Sequence, residues 1–456
     1  MSEVLTRLRE ATRGTEYEGR LYLVGGIVRD NILGLPGDED IDIVLEGDAS
    51  ALAQFLFDKH LAEHKPVVFA RFGTAMVTIA DRQVEIVSAR SESYVPQSRK
   101  PEVEPSTLEQ DVLRRDFTIN TLLENLHTGE VLDLTGRAIE DIRKGIIRTP
   151  LDPAATFEDD PLRMLRAVRF AARFGFAIEE ATYSGIREKA HRLSIISSER
   201  IRDELSKMLT SPGCSRALEM LRETGLLDQF APELAQMYGV TQNIYHVYDV
   251  WTHTVKTLEA LPEDADLALR LAALFHDVGK PATRSVDEQG QVHFYTHQIV
   301  GAQITRKALT RLRYPNDVVD GVAKIVFMHL RVGEYEPEWS DAAVRRLMRD
   351  AGPDLEALTE LTKADKAASN TAMPSADIDE LERRVAEVQE KLDVQAIRSP
   401  LDGREIMELL RVPQGPILRE VKDYLVNEII EGRLAPGDKE RAREMVAARW
   451  KAGDEP

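Results

Sequence analysis

Residues 21–44 read LYLVGGIVRDNILGLPGDEDIDIV, and the order of residue types here decides how the first part of the chain folds. Leu21 to Val24 form a short apolar run that ends in Gly25 and Gly26. Two glycines at that point make a turn at which backbone N–H groups approach a triphosphate without side-chain hindrance. Asp40 follows Gly25 by fifteen positions, and Asp42 follows Asp40 by two, within an apolar stretch holding Ile41, Ile43 and Val44. If that stretch is a strand, both carboxylates point to one face, where they can share Mg²⁺, while the isoleucines bury on the other. A D-x-D pair standing alone is more often a surface turn, so its meaning depends on its company.

That company lies downstream. Arg114-Arg115-Asp116-Phe117-Thr118-Ile119-Asn120 puts two cations and a carboxylate before an apolar turn. Arginines suit triphosphate oxygens, and a carboxylate accepts from a ribose hydroxyl. Glu85, inside QVEIVSAR, falls on an expected strand as a third carboxylate. Between them, residues 91–111 (SESYVPQSRKPEVEPSTLEQD) are rich in proline, serine and charge without sustained periodicity, which predicts a mobile loop.

At 456 residues the chain is too long for one ordinary core, and two to four domains are expected. Apolar content of 43% with 30% charged residues describes a soluble globular protein. No stretch approaches the roughly 20 apolar residues that cross a bilayer, and the N-terminal MSEVLTRLREATRG lacks the apolar core of a signal peptide. The single cysteine, Cys214, excludes an intrachain disulfide framework and points to a reducing, cytoplasmic setting. A formal charge of -19 excludes a protein that coats nucleic acid indiscriminately. Residues 161–209 run against that trend, with Arg163, Arg166, Arg169, Arg173, Arg187, Lys189, Arg192, Arg200, Arg202 and Lys207. Such a run is either a solvated helix face or a local basic surface, with Arg166 and Arg169 as candidate nucleotide contacts.

Patterning divides the chain into an α+β head over 1–145, a helical neck over 146–230, a helical histidine-bearing region over 231–370 and a helical tail over 371–456. The neck opens with PLRMLRAVRFAARFGF, whose helical spacing stops at Gly175, and SNTAMPSAD at 369–377 reads as a linker. Asp160 and Arg163 stand three apart at the start of the first neck helix, on one face. An aspartate accepts from an exocyclic amine and an arginine donates to a ring nitrogen or carbonyl, so the pair imitates a base-pairing edge for cytosine or adenine. The plainer alternative is that Asp160 caps the helix and Arg163 is solvated.

In order, GGIVRD with DIDIV, RRDFTIN, DLTGRAIEDIRKGIIRTP, DDPLRMLRAVRFAARFGF and ERIRDEL resemble the class II tRNA nucleotidyltransferase and bacterial poly(A) polymerase family. The resemblance is dense over residues 15–230 and implies a nucleotidyltransferase head, then an all-helical neck, body and tail that hold an RNA acceptor. It implies that Asp40 and Asp42 hold Mg²⁺, that Gly25, Gly26 and Arg29 form the phosphate-side turn, and that Asp116, beside Arg115, selects ribose. Asp160 and Arg163 match the family's base-reading pair, although Asp159 replaces the usual glutamate before them. Arg29 and Arg114 are further triphosphate candidates, with Arg29 equally placed to pair with Asp30, and Asn120 closes the nucleotide-binding set.

LAALFHDVGK, carrying His276 and Asp277, resembles the HD-superfamily phosphohydrolase signature, and His253 and Asp365 fill the outer positions of its H…HD…D pattern. Nitrogen and oxygen ligands of this kind suit a divalent transition metal or Mg²⁺, and His297 and His329 are placed to add a second ion. The expected function is template-independent transfer of CMP and AMP from CTP and ATP to the 3′ end of tRNA, with pyrophosphate released. Within the family the alternatives are A-only addition, CC-only addition and poly(A) synthesis; CC-only members lack a flexible segment ahead of RRD, which residues 91–111 supply here. Outside it, the alternative is an HD phosphohydrolase whose head only binds nucleotide.

Overall fold

A computed structural model of the chain describes residues 2–36, 41–95, 98–242, 247–369, 377–391, 394 and 397–450. Asp40 and most of the expected linker at 369–377 therefore lie outside the described residues. The chain divides into two compact units, residues 1–235 with 311–314, and residues 236–310 with 315–456. Among the described residues no helix is long and apolar enough to cross a membrane.

The first unit is built on strands β1 (Leu21–Val24), β2 (Ile41–Leu45), β3 (Val67–Phe69), β4 (Thr74–Ile79), β5 (Arg82–Ser88), β6 (Arg90–Val95), β7 (Ser98–Pro105), β8 (Leu123–Asn125) and β9 (Val131–Leu132). Seven of them form one sheet in the order β3-β4-β5-β2-β1-β8-β9. Its β2–β5 pair is parallel and its other pairs are antiparallel. The alternation expected of DIDIV holds: Ile41 and Ile43 are 1% exposed, while Asp42 is half-buried on the opposite face. β1 delivers the chain to Gly25, whose φ of 77° is a left-handed turn that favours glycine, and the helix Gly26–Leu33 begins directly after it.

Residues 91–111 differ from the expected mobile loop. β6 and β7 pair as an antiparallel hairpin from Arg90↔Pro105 to Val95↔Ser98, and the helix Leu108–Leu113 follows, capped by the Thr107 side chain. Backbone pairing needs no apolar alternation where a ribbon stands apart from the main sheet, which is why periodicity did not reveal it. Pro101 and Pro105 sit in β7, which among the described residues pairs with β6 alone, the edge position that tolerates residues without an N–H.

The helix Leu162–Phe174 ends at Gly175, with φ 70°, where the sequence places its stop. Its apolar face buries Leu165, Val168 and Ala171 completely, each of the larger ones contributing about 1.5–3 kcal/mol. Gly213 permits the next helices to close on it: a Cβ there would stand 2.6 Å from the Ala172 carbonyl oxygen.

The second unit is helical, with Val250–Glu259, Leu267–Phe275, His297–Arg311, Asn316–Gly333 and Leu355–Ala368 packed around Trp251, Leu271, Phe275, Val326 and Leu358. Gly403–Leu410, Ile417–Ile430 and Lys439–Arg449 form a further helical cluster around Leu401, Val421 and Leu425.

Candidate functional site

The end of β1, the face of β2, the turn after Leu113 and the neck helix Leu162–Phe174 meet around a cavity of about 560 Å³. Gly25, Gly26, Arg29, Asp42, Arg115, Asp116, Asn120, Arg166 and Arg169 all line it. Asp42 Oδ2 and Arg115 Nη1 each stand 3.9 Å from where a Gly25 Cβ would lie, so turn, carboxylate and guanidinium face one another. Arg173 and Lys207 complete a lining of five arginines and one lysine against Asp42 and Asp116. A concave site with that balance is an anion receptor.

Most of these cations are held in place by the protein. Asp111, fully buried, accepts from Arg114 at 2.6 Å and from Arg115 at 2.9 Å. Burial raises the Asp111 carboxyl, but the two guanidiniums outweigh it and hold the group below the usual carboxylate range. Arg29 is 2% exposed; it donates to Asp30 at 2.7 Å and to Asn120 Oδ1 at 2.6 Å, and its guanidinium lies over Phe170 and Phe174. Of the two roles open to it in the sequence, the structure realises the pairing with Asp30. Because a guanidinium only donates, Asn120 must turn its oxygen to Arg29 and its amide N–H to Asp116 Oδ1, 3.0 Å away. Asp116 Oδ2 pairs with Arg166 at 2.6 Å. Burial would push the Asp116 carboxyl up, yet Arg166, Asn120 and the nearby Arg163 bring it down to about 2. It is an acceptor at every physiological pH.

The remaining expected residues sit at the margin. Glu85 is the register partner of Asp42 on β5, but it is exposed and does not line the cavity. Arg114 turns to Asp111 and the Arg90 carbonyl. Asp160 Oδ1 accepts from the Leu162 N–H at the start of the neck helix, whose N-cap is Pro161, and its Oδ2 pairs with Arg200 at 3.1 Å. Arg163 donates to the Arg114 carbonyl at 2.8 Å. Arg169 pairs with Glu204 at 2.6 Å under the Phe170 ring. Sequence reading missed Asp111 and Glu204, the counter-ions that fix the arginines. The three- and four-residue spacing of Asp111 to Arg114 and Arg115 was the available signal.

In the second unit the histidine cluster assembles as its pattern implies. His253, His276 and Asp277 form one triad of ligand atoms, and Asp277, His297 and His329 form another, each within 4.8 Å. Asp365 Oδ1 is 2.8 Å from His253 Nε2 and 3.9 Å from His276 Nε2. The Nδ1 atoms of His276, His297 and His329 lie 2.8, 2.8 and 2.6 Å from the carbonyls of Ala273, Phe294 and Val326. Carbonyls only accept, so each Nδ1 carries a proton, and in the neutral ring the Nε2 offers a lone pair. His297 Nε2 then faces His329 Nε2 at 3.3 Å and Asp277 Oδ1 at 3.5 Å, acceptor against acceptor. A divalent cation resolves that arrangement, and the donor set fits one.

The titration behaviour of His297 and His329 agrees with the geometry. Burial, followed by the charges of His276 and His297, lowers His329 to about 4, and burial lowers His297 as well. Burial acts the same way on His276 but is outweighed by Asp277 and Asp365, so that group rises. Gly279 makes the approach possible: a Cβ on it would collide with the His297 carbonyl oxygen and lie 2.7 Å from the Gly301 nitrogen.

Comparison with known proteins identifies both regions. Residues 21–148 match the poly A polymerase head domain, 175–238 the probable RNA and SrmB-binding site of polymerase A, and 243–370 the HD domain. The chain is 34% identical to a CC-adding tRNA nucleotidyltransferase of Thermus thermophilus, over 95% of this chain and 94% of the relative. It is 35% identical to an A-adding tRNA nucleotidyltransferase of Deinococcus radiodurans, over 76% of this chain and 80% of the relative. Among solved structures, the CCA-adding enzyme of Bacillus stearothermophilus in complex with CTP is similar, with a TM-score of 0.71, 25% identity and coverage of 98% of this chain and 97% of that one. The chain therefore belongs to the class II CCA-adding tRNA nucleotidyltransferases, enzymes with a mixed-sheet head and helical neck, and it carries an HD domain with a His/Asp cluster suited to a divalent metal.

Proposed function

We propose that the enzyme adds CMP and AMP, from CTP and ATP, to the 3′ end of tRNA and so completes the CCA terminus without a nucleic-acid template. The observation that carries this reading is the convergence of Asp42, the Gly25 turn, Arg115 and Asp116 on one cationic cavity. The triphosphate lies along Gly25, Gly26 and Arg115, where the N-terminus of the helix Gly26–Leu33 and the guanidinium both favour negative charge. Asp116, ionised and fixed by Asn120, accepts from the ribose 2′-hydroxyl. The in-line attack of the RNA 3′-hydroxyl on the α-phosphorus forms one P–O bond and breaks the bond to the β-phosphate, so pyrophosphate leaves. Asp42, together with Asp40, would hold Mg²⁺, which when bound would lower the pKa of the attacking hydroxyl and neutralise charge on the leaving group. Arg115, Arg166 and Arg173 hold the departing charge in a site already organised by Asp111 and Asp116.

Asp160 and Arg163 choose the base. Both stand at the margin of the cavity rather than in its lining, Arg163 donating to the carbonyl of Arg114, which directly precedes Arg115 and Asp116. An amine beside an acceptor, as in cytosine and adenine, satisfies an aspartate and an arginine together; uracil and guanine present a carbonyl to the carboxylate.

Full-length similarity to a CC-adding enzyme favours a second reading, in which this chain adds only the two cytidylates. Against it stands the presence of the segment 91–111 ahead of the RRD motif, which the sequence resemblance sets apart from CC-only members. Separate tRNAs ending before CCA, after C and after CC, each incubated with CTP, ATP or both, distinguish the readings. Growth of the shortest acceptor to CCA supports full addition; arrest at CC, or extension of only the CC-ending acceptor, overturns it. The HD cluster is read as a metal-dependent phosphohydrolase centre acting on phosphate ends, on the strength of its acceptor-only Nε2 set.

A further inference from the structure

Lys280 has no place in the metal set, yet it is buried beside it. The side chain is 5% exposed, and its Nζ lies 2.7 Å from Asp277 Oδ2 and 2.6 Å from Gln242 Oε1. An ammonium has three N–H donors. One is taken by Gln242 Oε1, while the contact to Asp277 Oδ2 is an ion pair outside hydrogen-bond geometry, so the ammonium keeps donor capacity that finds no acceptor among the described residues; the neighbouring group is the Phe294 ring, 5.5 Å away. The position is built rather than incidental. Lys280 opens the short helix Lys280–Thr283, and Gly279 before it presses against the backbone of His297 and Gly301, so lysine and cluster are held by the same contact.

Charge makes this arrangement informative. Asp277 belongs to both ligand triads, so metal binding draws on its oxygens from both sides. With the carboxylate so committed, Lys280 would be a buried cation left among cations, an unfavourable state unless an anion stands between them. A phosphoryl group is an anion that engages metal ions and an ammonium at once, through different oxygens.

We propose that Lys280, with Gln242 and the face of Phe294, forms an oxyanion subsite beside the His/Asp cluster that holds a non-bridging oxygen of a phosphoryl group. The subsite rests on the reading of the cluster as a phosphohydrolase centre and names the group that contacts its substrate. Gln242 orients the ammonium, and Phe294 closes the site to water on one side.

The test uses the full-length chain loaded with Mn²⁺, with metal content measured by elemental analysis and inorganic phosphate binding by calorimetry. Wild type binds both. Lys280→Met keeps its metal and weakens phosphate binding by roughly tenfold or more, since a charge-assisted hydrogen bond is lost; Lys280→Arg recovers part of it. Gln242→Ala, which leaves the buried charge in place, weakens phosphate by a smaller factor with metal unchanged, and it carries the test if Lys280→Met does not fold. Phosphate binding at the wild-type level in Lys280→Met overturns the proposal, as does parallel loss of metal and phosphate, which would make Lys280 only a counter-ion to Asp277. A wild-type chain that takes up no metal is a different result: it overturns the phosphohydrolase reading itself, and the subsite with it.

Discussion

The two sites of this chain are electrostatic opposites. The cavity of the first unit is lined by arginines, most of them placed by a buried carboxylate or amide, and the excess of cations suits its free volume to an anion. The cluster of the second unit is lined by acceptors, imidazole nitrogens and carboxylates brought within 4 Å of one another, and it receives a cation. The difference shows in what holds each site together. Hydrogen bonds among protein groups complete the first site, running Asp30–Arg29–Asn120–Asp116–Arg166. The second is fixed from outside by backbone carbonyls at the Nδ1 atoms, and its interior leaves ligand atoms facing one another in a set suited to a divalent cation.

The contrast is broken most forcefully at Asp277. Because it serves both triads, Asp277→Ala should reduce metal affinity by a hundredfold or more, read by elemental analysis, while nucleotide addition to tRNA stays near wild type. Coupled loss of both activities would contradict the independence of the sites. Gly279→Ala comes next: its methyl meets the His297 backbone, so a loss on the order of 3 kcal/mol and weakened metal retention are expected by thermal unfolding with and without metal. An unchanged melting temperature would show that the approach of the two segments is not needed.

Asp116 tests the satisfied network. Its carboxyl lies at about 2 in the folded chain against an ordinary 3.8. A depressed carboxylate contributes stability that is present above its unfolded value and lost as pH falls through the folded one. The window is therefore about pH 4 down to pH 2, and the contribution is on the order of 2 kcal/mol. Asp116→Asn should be less stable than wild type at pH 7, with the gap closing across that window in chemical denaturation at stepped pH. A gap that is constant with pH would remove the ion pair from the account. The smallest effect is expected at Asp160, whose oxygens already serve the Leu162 N–H and Arg200. Asp160→Ala should blur the preference for CTP and ATP over UTP by about tenfold, measured as the ratio of kcat/KM values; an unaltered ratio would defeat the base-reading edge.

Legibility in the sequence followed the same division. Gly25 and Asp42 were readable because each needs a particular residue type at a particular local spacing, whereas the HD ligands, spread over residues 253–365, were readable only through their resemblance to the H…HD…D pattern, which the fold gathers into one cluster. Asp111 and Glu204 were not, since a buried counter-ion looks like any acidic residue of an amphipathic helix until the fold brings its arginine near. Arg29 was readable only as a choice between two roles, which packing under Phe170 and Phe174 decided. The hairpin at 90–105 escaped because its pairing is carried by backbone groups and leaves no period in the side chains.

The most direct test of the central claim is incorporation of labelled CMP and AMP onto a tRNA lacking its CCA end, compared between wild type and Asp42→Ala. Asp42→Ala should yield no extended product above about a thousandth of the wild-type rate, with the metal content of the HD cluster unchanged. Extension by Asp42→Ala at a rate near that of wild type would contradict the assignment of nucleotide transfer to the cavity at the Gly25 turn.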